Sequence, residues 1–350
     1  MTGGGPDLRQ LALGDQRWRS FVCGHMEATP FHDPRWADLL VRTYGYPAFA
    51  VALFDDDDEV IAGAPFLEVR AISGRRRWIS LPFTDECPLL LPDRGSVESV
   101  RDTFTRGLRS LAAPPVEVRG SVDALGWRTG AGAVTHELVL DPDAEIVRRR
   151  FSRSQVNRNI SRAEREGVVV RRASSTRDLD AFYALHTRTR RRQGVPVQPR
   201  RFFDLIWDYL ASTGLAFILL ADAGGREAIA GALFLASGTS TIYKFGASDP
   251  DAWRVRPNHL IFWTAIAQAC RRGDRRFDFG RTDVGNAGLR AFKSGWGATE
   301  RPLRYSTLAP GAATGTEGPA TRALSIAIRK GPKWVCRGTG EALYRFAASR

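Results

Sequence analysis

The sequence predicts an α/β (α+β) protein made of two tandem domains of related fold, with mixed, largely antiparallel sheets and a helical C-terminal tail. Its 350 residues exceed the size at which one hydrophobic core usually stops growing. An apolar phrase also occurs twice, as IAGAPFL at 61–67 and IAGALFL at 229–235, with six of seven positions identical. Finally, amphipathic helical patterns alternate with short apolar runs in both halves.

Each copy of the repeated phrase completes a predicted β-hairpin. AFAVALF and the acidic turn DDDDE precede the first copy, and LAFILLA and the turn DAGGRE precede the second. A repeat at about half the chain length favours duplicated domains over a solenoid, whose period is roughly 20 to 50 residues. The alternative that the two hairpins are unrelated stays open.

The first half begins with a helix over 34–45, where Asp33 serves as the cap and Pro34 suits the first turn. The first hairpin and RRRWISLPF follow. The remaining elements expected in this half are a helix at 96–112 and strands at 116–120 and 134–140. The turn DPDAE then marks a boundary, which gives an N-terminal domain at 1–143 and a C-terminal domain at 144–310.

The second half opens with a basic helix that Gly167 ends, followed by the strand VVVRR. A helix over 178–194 ends at Gly194, and another covers PVQPRRFFDLIWDYLAS. Three strands (LAFILLA, AIAGALFLA and STIYKFGAS), the helix LIFWTAIAQACRRG and the strand RRFDFG complete the domain. Residues 311–350 comprise the linker GAATGTEGPAT and a basic amphipathic tail. The tail is expected to pack on the domains or to lie on an acidic membrane surface.

The net charge of +13 is concentrated in one segment. Residues 148–201 hold sixteen arginines and four acids, and 16 − 4 gives +12. Such a field attracts polyanions such as RNA, nucleotide phosphates or an anionic membrane, although a merely solvated basic surface is an open alternative. The chain has 47 arginines but four lysines, and only Lys244 and Lys293 precede residue 330. These two positions favour a compact ammonium over a planar guanidinium.

The cysteines and the N-terminus exclude several classes of protein. The four cysteines lie far apart without metal-ligand spacing, so neither a disulfide framework nor a metal site is expected. The N-terminus lacks a signal-peptide pattern, and no apolar run approaches the roughly 20 residues that span a bilayer. We therefore expect a cytoplasmic location, with peripheral contact at the inner membrane face as a variant. The oligomeric state is not predicted.

Several segments of the second half resemble the FemAB-type branch of the GNAT acyltransferase superfamily, the peptidoglycan interpeptide-bridge aminoacyltransferases and their relatives. They are, in order, RNISRAEREGVVV, FYALHTRTRRRQGVPVQPRRFFDLI, YKFGASD, RPNHLIFWTAIAQACRRGDRRFDFGRTD and GLRAFKSGWGA. The resemblance is dense over 150–306 and weaker over 30–140. It implies two GNAT-like domains in one chain, in which the repeated phrases are equivalent strands. The helical hairpin that some members use to grip tRNA has no counterpart here.

The resemblance also assigns candidate catalytic residues. Lys293 matches the motif lysine and would contact the donor's phosphate or the developing oxyanion. Asp283 is a candidate proton acceptor, and Tyr243 a hydroxyl near the acceptor substrate. The bland alternatives are a surface salt bridge, a turn former and a packed strand tyrosine, respectively. The candidate substrate-binding residues are Arg188, Arg192, Lys244, Arg281, Asn286, Asn258 and Asp85.

Two of these assignments depend on local patterns. His186, Arg188 and Arg192 lie at helical spacings expected to share one face, where they could bind phosphates. Asp85 and Cys87 occupy a loop in which relatives place a carboxylate near a Gly-Pro pair. Cys87 replaces that glycine and the acid is shifted, which weakens the correspondence.

The sequence thus predicts an acyl- or aminoacyltransferase with no permanently bound cofactor. Its donor would be aminoacyl-tRNA, and its acceptor the amine of a cell-wall precursor or peptide-like molecule. No convincing match to a [Q/R]xxGx[G/A] pyrophosphate loop is found in the C-terminal domain at 144–310, which weakens the case for coenzyme A. Two alternatives remain: an acyl-CoA-dependent N-acyltransferase in envelope-polysaccharide or specialised-metabolite biosynthesis, and a non-catalytic RNA- or lipid-binding module. No DNA partner is expected.

Overall fold

The computed structural model describes residues 7–70, 74–93 and 95–308, and the single positions 328, 336 and 338. These residues divide into two compact units, which we call unit 1 (7–133 and 302–308) and unit 2 (134–301 with the three single positions). The division falls shortly before the boundary predicted at 143. The predicted tail at 311–350 lies outside the described residues, apart from the three single positions.

The elements up to the division are β1 (Asp7–Leu11), α1 (Gln16–Gly24), α2 (Pro34–Tyr44), β2 (Ala48–Phe54), β3 (Val60–Arg70), β4 (Arg76–Ile79), α3 (Val97–Ser110), β5 (Val116–Val118) and β6 (Trp127–Val139). Those that follow are α4 (Ala144–Arg148), α5 (Arg158–Arg165), β7 (Val169–Arg172), α6 (Thr176–Gln193), α7 (Arg200–Leu205), β8 (Ala216–Ala223), β9 (Arg226–Ser237), β10 (Ser240–Ser248), α8 (Pro257–Arg272), β11 (Arg276–Asp278), β12 (Thr282–Asp283), α9 (Ala287–Ser294) and β13 (Thr299–Leu308).

The two units share one strand topology. In unit 1, β1 to β4 form an antiparallel run, β4 pairs with β5 in parallel, and β5 pairs antiparallel with the end of β13. In unit 2, β7 to β10 form an antiparallel run, β10 pairs with β11 in parallel, and β11 pairs antiparallel with the end of β6. The phrases at 61–67 and 229–235 lie in the third strand of each run, β3 and β9, as the repeat predicts.

The helix ends follow from local chemistry. Asp33 accepts a hydrogen bond from the Arg35 amide at the start of α2, as predicted, and α2 ends at Gly45 with φ 79°. In α6, Ser175 and Asp178 form a capping box, and Gly194 ends the helix in the left-handed conformation.

Two predicted helices are altered by π-helical turns. The expected basic helix begins with a π-helix at Arg153–Asn157 before α5, and the helix expected from Pro196 is α7 followed by a π-helix at Ile206–Ala211. A π-turn depends on neighbouring contacts that side-chain periodicity does not report.

The parallel pair of unit 2 is short. β10 and β11 pair only from Ser240–Arg276 to Ile242–Asp278, after which β10 continues to Ser248 paired with β9 but no longer with β11. The register of β10 against β9 shifts between Tyr243 and Phe245, which marks a bulge at the point where the strands part. Ligands of open α/β sheets commonly bind beyond the carboxyl ends of parallel strands, so this end of unit 2 is where a site is expected.

Candidate active site

Unit 2 contains an open cleft of about 790 Å³, which we call the arginine cleft. Its walls come from the π-helix at Arg153–Asn157, α5, the start of α8 and one face of α9. The lining residues are Ser154, Gln155, Arg158, Asn159, Arg162, Arg165, Glu166, Arg256, His259, Gly288, Ala291 and Phe292. Four arginines and one glutamate make this cleft strongly cationic, which suits a phosphate-bearing ligand.

Helical spacing places the arginines of α5 in the cleft. Arg158, Arg162 and Arg165 follow one another at intervals of four and three residues and therefore share a face. Ile160 and Ala163 lie on the opposite face and are fully buried in the core of unit 2. The only acid in the cleft, Glu166, lies 3.8 Å from the Arg162 guanidinium.

The start of α8 supplies the fourth arginine. Arg256 precedes Pro257 in the left-handed conformation, with φ 56°, which non-glycine residues seldom adopt. No side chain accepts a hydrogen bond at the N-cap of α8. A helix N-terminus of this kind favours anions. The preceding segment, DPDAWRVR, contains no glycine.

His259 forms the floor of the cleft and is 9% exposed. Its ring stacks on Trp296 at 6.0 Å and meets the edge of Phe292 at 5.3 Å. Its Nε2 lies 3.3 Å from Nδ2 of Asn159, and that amide also donates to the Gln155 carbonyl at 2.7 Å. Burial, and secondarily the charge of Arg256, lowers the pKa of His259 to about 4.

Lys293 lies beside the arginine cleft but does not line it. Its side chain is 2% exposed, and its Nζ donates to the carbonyls of Gly280 at 2.5 Å and Arg281 at 3.3 Å. The ammonium therefore supports the loop after β11, while its neighbour Phe292 faces the cleft. The sequence predicts a cationic pocket around Lys293, whereas the cationic cleft of unit 2 is built from arginines of α5 and from Arg256, which face the side of α9 opposite Lys293.

A second set of contacts anchors α9. Arg290 makes two hydrogen bonds of 2.7 Å to the carboxylate of Glu300. The other neighbour of that carboxylate is the fully buried His136, whose Nε2 lies 3.2 Å away. Burial and the nearby charge of Lys293 lower the pKa of His136. These contacts hold the polar face of α9 against β6 and the start of β13.

The loop between β11 and α9 contains three predicted site residues. Arg281 and Asp283 form an exposed ion pair at 2.8 Å, and the Asp283 side chain is 75% exposed. Asn286 caps α9 by accepting a hydrogen bond from the Leu289 amide at 3.1 Å. None of the three lines the arginine cleft.

Tyr243 and Lys244 lie at the bulge of β10. The Tyr243 ring packs on Phe262 at 4.8 Å and on Phe234 at 5.9 Å, and burial raises the pKa of its hydroxyl to about 12. The hydroxyl lies against Gly246, where a Cβ would come within 1.9 Å of it. The ammonium of Lys244 lies 5.6 Å from the Phe245 ring.

The expected common face of His186, Arg188 and Arg192 is wrong. Arg188 and Arg192 are exposed, and Arg192 lies over the Trp253 ring at 5.2 Å. His186 is 1% exposed and packs among aromatic rings, with its Nε2 bonded to Gln198 at 3.0 Å. Successive turns of α6 place position 186 towards the sheet, because α6 packs on β9 and β10.

The other predicted residues lie at separate places. Asn258 is a half-buried residue in the first turn of α8, next to two cleft residues. Asp85 is in unit 1, where its carbonyl accepts a hydrogen bond from Tyr305 at 2.8 Å, and the neighbouring Cys87 is fully buried.

Sequence reasoning missed the residues that form the cleft. The sequence predicted a basic helix at α5, but its arginines were interpreted only as part of a diffuse positive field. Asn159 and His259 were not among the candidate residues. The signal available was the helical spacing of arginines in RNISRAER, together with the histidine of RPNH in the turn that opens a helix.

Within the described ranges, no group of three or more His, Cys, Asp or Glu side chains is arranged to hold a metal ion. None of the helices in the same residues has the length and apolar character needed to cross a membrane.

The match to a known family model falls within unit 2. Residues 150–294 match the family model of the acetyltransferase (GNAT) domain, which confirms the predicted GNAT resemblance for this part of the chain. Residues 150–294 therefore resemble a GNAT acetyltransferase domain. No curated protein shows a significant match to the chain.

Solved structures confirm the predicted fold class over most of the chain. FemX is 17% identical with a TM-score of 0.69, covering 85% of this chain and 96% of FemX. The C-terminal domain of a putative lysylphosphatidylglycerol synthetase from Agrobacterium fabrum is 13% identical with a TM-score of 0.54, covering 89% and 94%. L-PGS from Bacillus licheniformis is 14% identical with a TM-score of 0.50, covering 85% and 98%. At these identities, the likeness concerns the fold alone.

Proposed function

We propose that this protein transfers an activated acyl or aminoacyl group from a phosphate-bearing donor to an amine. The observation that carries the proposal is the arginine cleft, in which four arginines and the start of α8 surround an aromatic floor within a GNAT domain. Arginine provides bidentate donors for phosphate, and a helix N-terminus favours anions. A cleft of this charge attracts the donor and fixes its carbonyl for attack.

Aminoacyl-tRNA is the first proposed donor. The excess of +12 over 148–201 supports a polyanionic partner, and the glycine-free loop before α8 speaks against an ordinary coenzyme A cradle. The FemX-like fold, extending over nearly the whole of FemX, is compatible with this donor. The proposed acceptor is the amine of a cell-wall precursor or peptide-like molecule.

An acyl-CoA donor is the second candidate, because the matched family model is that of an acetyltransferase domain. The same arginines would then hold the phosphates of coenzyme A. The acceptor in this case would be an amine in envelope-polysaccharide or specialised-metabolite biosynthesis.

The predicted catalytic residues enter the proposal with different roles. Lys293 is a positioning residue, because its ammonium already holds the carbonyls of Gly280 and Arg281. Direct contact with the donor would require one of these bonds to break. Asp283 is a candidate proton acceptor at the exposed end of the loop, and the Tyr243 hydroxyl is a candidate neighbour of the acceptor.

Six of the predicted substrate-binding residues belong to unit 2, where they form two groups. The seventh belongs to unit 1. Arg281, Asn286 and Asn258 flank the arginine cleft on the loop and on α8, and we propose that they contact the donor. Arg188, Arg192 and Lys244 would extend a basic surface of unit 2 for a long polyanion. Asp85, in unit 1, stays a predicted substrate contact. Contact of the tail with an anionic membrane remains a prediction about residues outside the described ranges.

The test is transfer by the purified full chain. Labelled aminoacyl-tRNA or labelled acyl-CoA is incubated with a panel of amines, and the labelled amide is quantified. Arg162→Glu and Arg165→Glu should each raise the KM for the active donor about tenfold or more, since each replaces an attraction by a repulsion in the cleft. Arg177→Glu is the matched control, because Arg177 is a helical arginine with 83% side-chain exposure outside the cleft.

The outcomes separate the hypotheses. Transfer from acyl-CoA that nuclease leaves unchanged would reject the tRNA donor. RNA binding that depends on Arg162, without transfer from either donor to any amine, would reject the enzyme in favour of a binding module.

A further inference from the structure

The arginine cleft contains one side chain suited to accept a proton near neutral pH. Its four arginines carry guanidinium groups, which donate hydrogen bonds and have no acceptor. Glu166 is exposed at the rim and lies beside Arg162. The remaining polar side chains are a serine, a glutamine and an asparagine, which do not titrate. His259 is left, at the floor of the cleft, beside the α9 residue that precedes Lys293.

We propose that His259 is the proton acceptor of the transfer reaction, a catalytic role that rests on the proposed function. The acceptor amine attacks the donor carbonyl, so that an N–C bond forms and the C–O bond of an ester or the C–S bond of a thioester breaks. The amine's proton passes to His259 Nε2. It then leaves with the departing oxygen or sulfur, so no further reactant is required.

The surroundings of His259 hold it ready for this role. Trp296 and Phe292 fix the plane of its ring. The Asn159 amide donates to the Gln155 carbonyl and lies 3.3 Å from His259 Nε2. In the tautomer with its proton on Nδ1, Nε2 accepts from Asn159 and is the nitrogen that can take the amine's proton. At 3.3 Å this contact is long, and an incoming amine can replace it.

Donor binding would strengthen the base. Burial and the charge of Arg256 lower the pKa of His259, against a smaller opposing effect of the Gln155 carbonyl. Arg158, Arg162, Arg165 and Glu166 are the other charged groups of the α5 wall, while Phe292 and Trp296 on the opposite side do not titrate. Phosphates bound to these arginines would offset their charge and raise the pKa of His259 towards neutrality.

The experiment uses the full chain with whichever donor supports transfer. His259→Gln should lower kcat about 100- to 10,000-fold with little change in the KM for the donor. The acid limb of the wild-type pH–rate profile should disappear in this variant. Added imidazole should restore part of the rate to His259→Ala. His186→Gln is the control, because His186 is also a buried histidine of unit 2 but lies outside the cleft.

Asp283→Asn tests the rival base in the same assay. If Asp283→Asn loses kcat and the acid limb while His259→Gln retains both, His259 is not the acceptor. A His259→Gln variant with a raised KM and unchanged kcat would likewise overturn the inference, because His259 would then act in binding. If the wild type transfers nothing from either donor, the proposed function itself fails, which is a different result from active protein with a dispensable His259.

Discussion

A buried lysine is the residue whose role the structure changes most. Burying an ammonium without partners is strongly unfavourable, and here two backbone carbonyls receive it. A point donor on a flexible stem can reach both carbonyls, whereas a planar guanidinium is larger and has a fixed geometry. The use of lysine at 293, in a chain that prefers arginine, is explained by this confined position.

Replacing Lys293 by Met should reduce both stability and activity. The carbonyls of Gly280 and Arg281 would lose a donor, so we expect the free energy of unfolding to fall by about 1–3 kcal/mol. Misplacement of the loop and of α9 should lower kcat/KM, by up to roughly 3 kcal/mol if the lysine also serves the oxyanion. Urea unfolding and steady-state kinetics measure the two effects.

Lys293→Arg is the informative companion variant. It keeps the charge but not the shape, so it should not restore activity. Full activity in the arginine variant would contradict the role assigned to the confined ammonium.

Buried histidines predict a pH-dependent stability. Burial lowers the pKa of His186 to about 3, and an unfolded histidine titrates near its ordinary value of about 6.5. As the pH falls below about 6.5 the unfolded chain gains a proton that the folded chain does not. The contribution to stability is therefore complete above this pH and declines until the folded pKa is reached.

Urea unfolding of wild type and His186→Gln at pH 7.5 and pH 5 tests this. The decrease in unfolding free energy between the two pH values should be smaller in the variant by about 2 kcal/mol, which is the linkage expected over some 1.5 pH units. Equal decreases in both proteins would show that His186 does not titrate as its burial implies.

The residue-level predictions from sequence succeeded in part. The rarity of lysine and its place in the motif marked Lys293 as a candidate functional residue. The direction of its side chain, however, depends on where the loop after β11 places the carbonyls that accept its hydrogen bonds. Periodicity could not tell that His186 faces the sheet while Arg188 and Arg192 face solvent. His259 lies in an apolar helix, where a core histidine and a cleft histidine have the same sequence pattern.

At the scale of elements, α9 connects the cleft to the network behind it. One face presents Gly288, Ala291 and Phe292 to the arginine cleft, and the other carries Arg290 and Lys293. The helix has only eight residues, so its position depends on these contacts and on its cap more than on intrinsic propensity.

Removing the cap of α9 separates a structural from a substrate-binding role of Asn286. Asn286→Ala should lower the unfolding free energy by about 1 kcal/mol, because the Leu289 amide loses its acceptor. Asn286→Asp should retain that stability, since aspartate caps equally well. If Asn286→Asp keeps stability but loses transfer activity, Asn286 contacts substrate as predicted, whereas unchanged activity assigns it to the cap alone.

Most elements were predictable because their signals are local. Caps and glycine stops defined α2 and α6, and the repeated phrase identified equivalent strands in the two units. The π-helix before α5 and the bulge at Tyr243 were not predictable, since each depends on packing partners distant in sequence. The π-helix lines the arginine cleft, and the bulge lies where β10 and β11 separate. The backbone that the sequence predicts least well is therefore close to the proposed reaction.

At the scale of the whole molecule, charge distribution is the dominant feature. Three of the four cleft arginines belong to the segment that carries +12, so the attraction of polyanions is focused where the cleft opens. The sequence predicted the segment but not the cleft, because the fourth arginine, Arg256, follows nearly a hundred residues after α5.

Donor binding should therefore weaken steeply with salt. If the four cleft arginines each neutralise one phosphate, the plot of log affinity against log salt concentration should have a slope of about −3. Arg162→Glu should reduce the magnitude of that slope by about 1 or more, while Arg177→Glu should leave it unchanged. Fluorescence titrations of labelled donor at several salt concentrations measure it, and a flat response in the wild type would contradict phosphate binding in the cleft.

The enclosure of Lys293 also has a practical consequence for fluorophore attachment. Amine-reactive reagents need a solvent-accessible primary amine, and the ammonium of Lys293 is enclosed by protein. Of the chain's four lysines, only Lys244 and the tail residues Lys330 and Lys333 are left as candidate side-chain targets. A dye ester applied to the native protein should therefore leave Lys293 unmodified, and peptide mapping after mild labelling would report directly whether this region stays closed in solution.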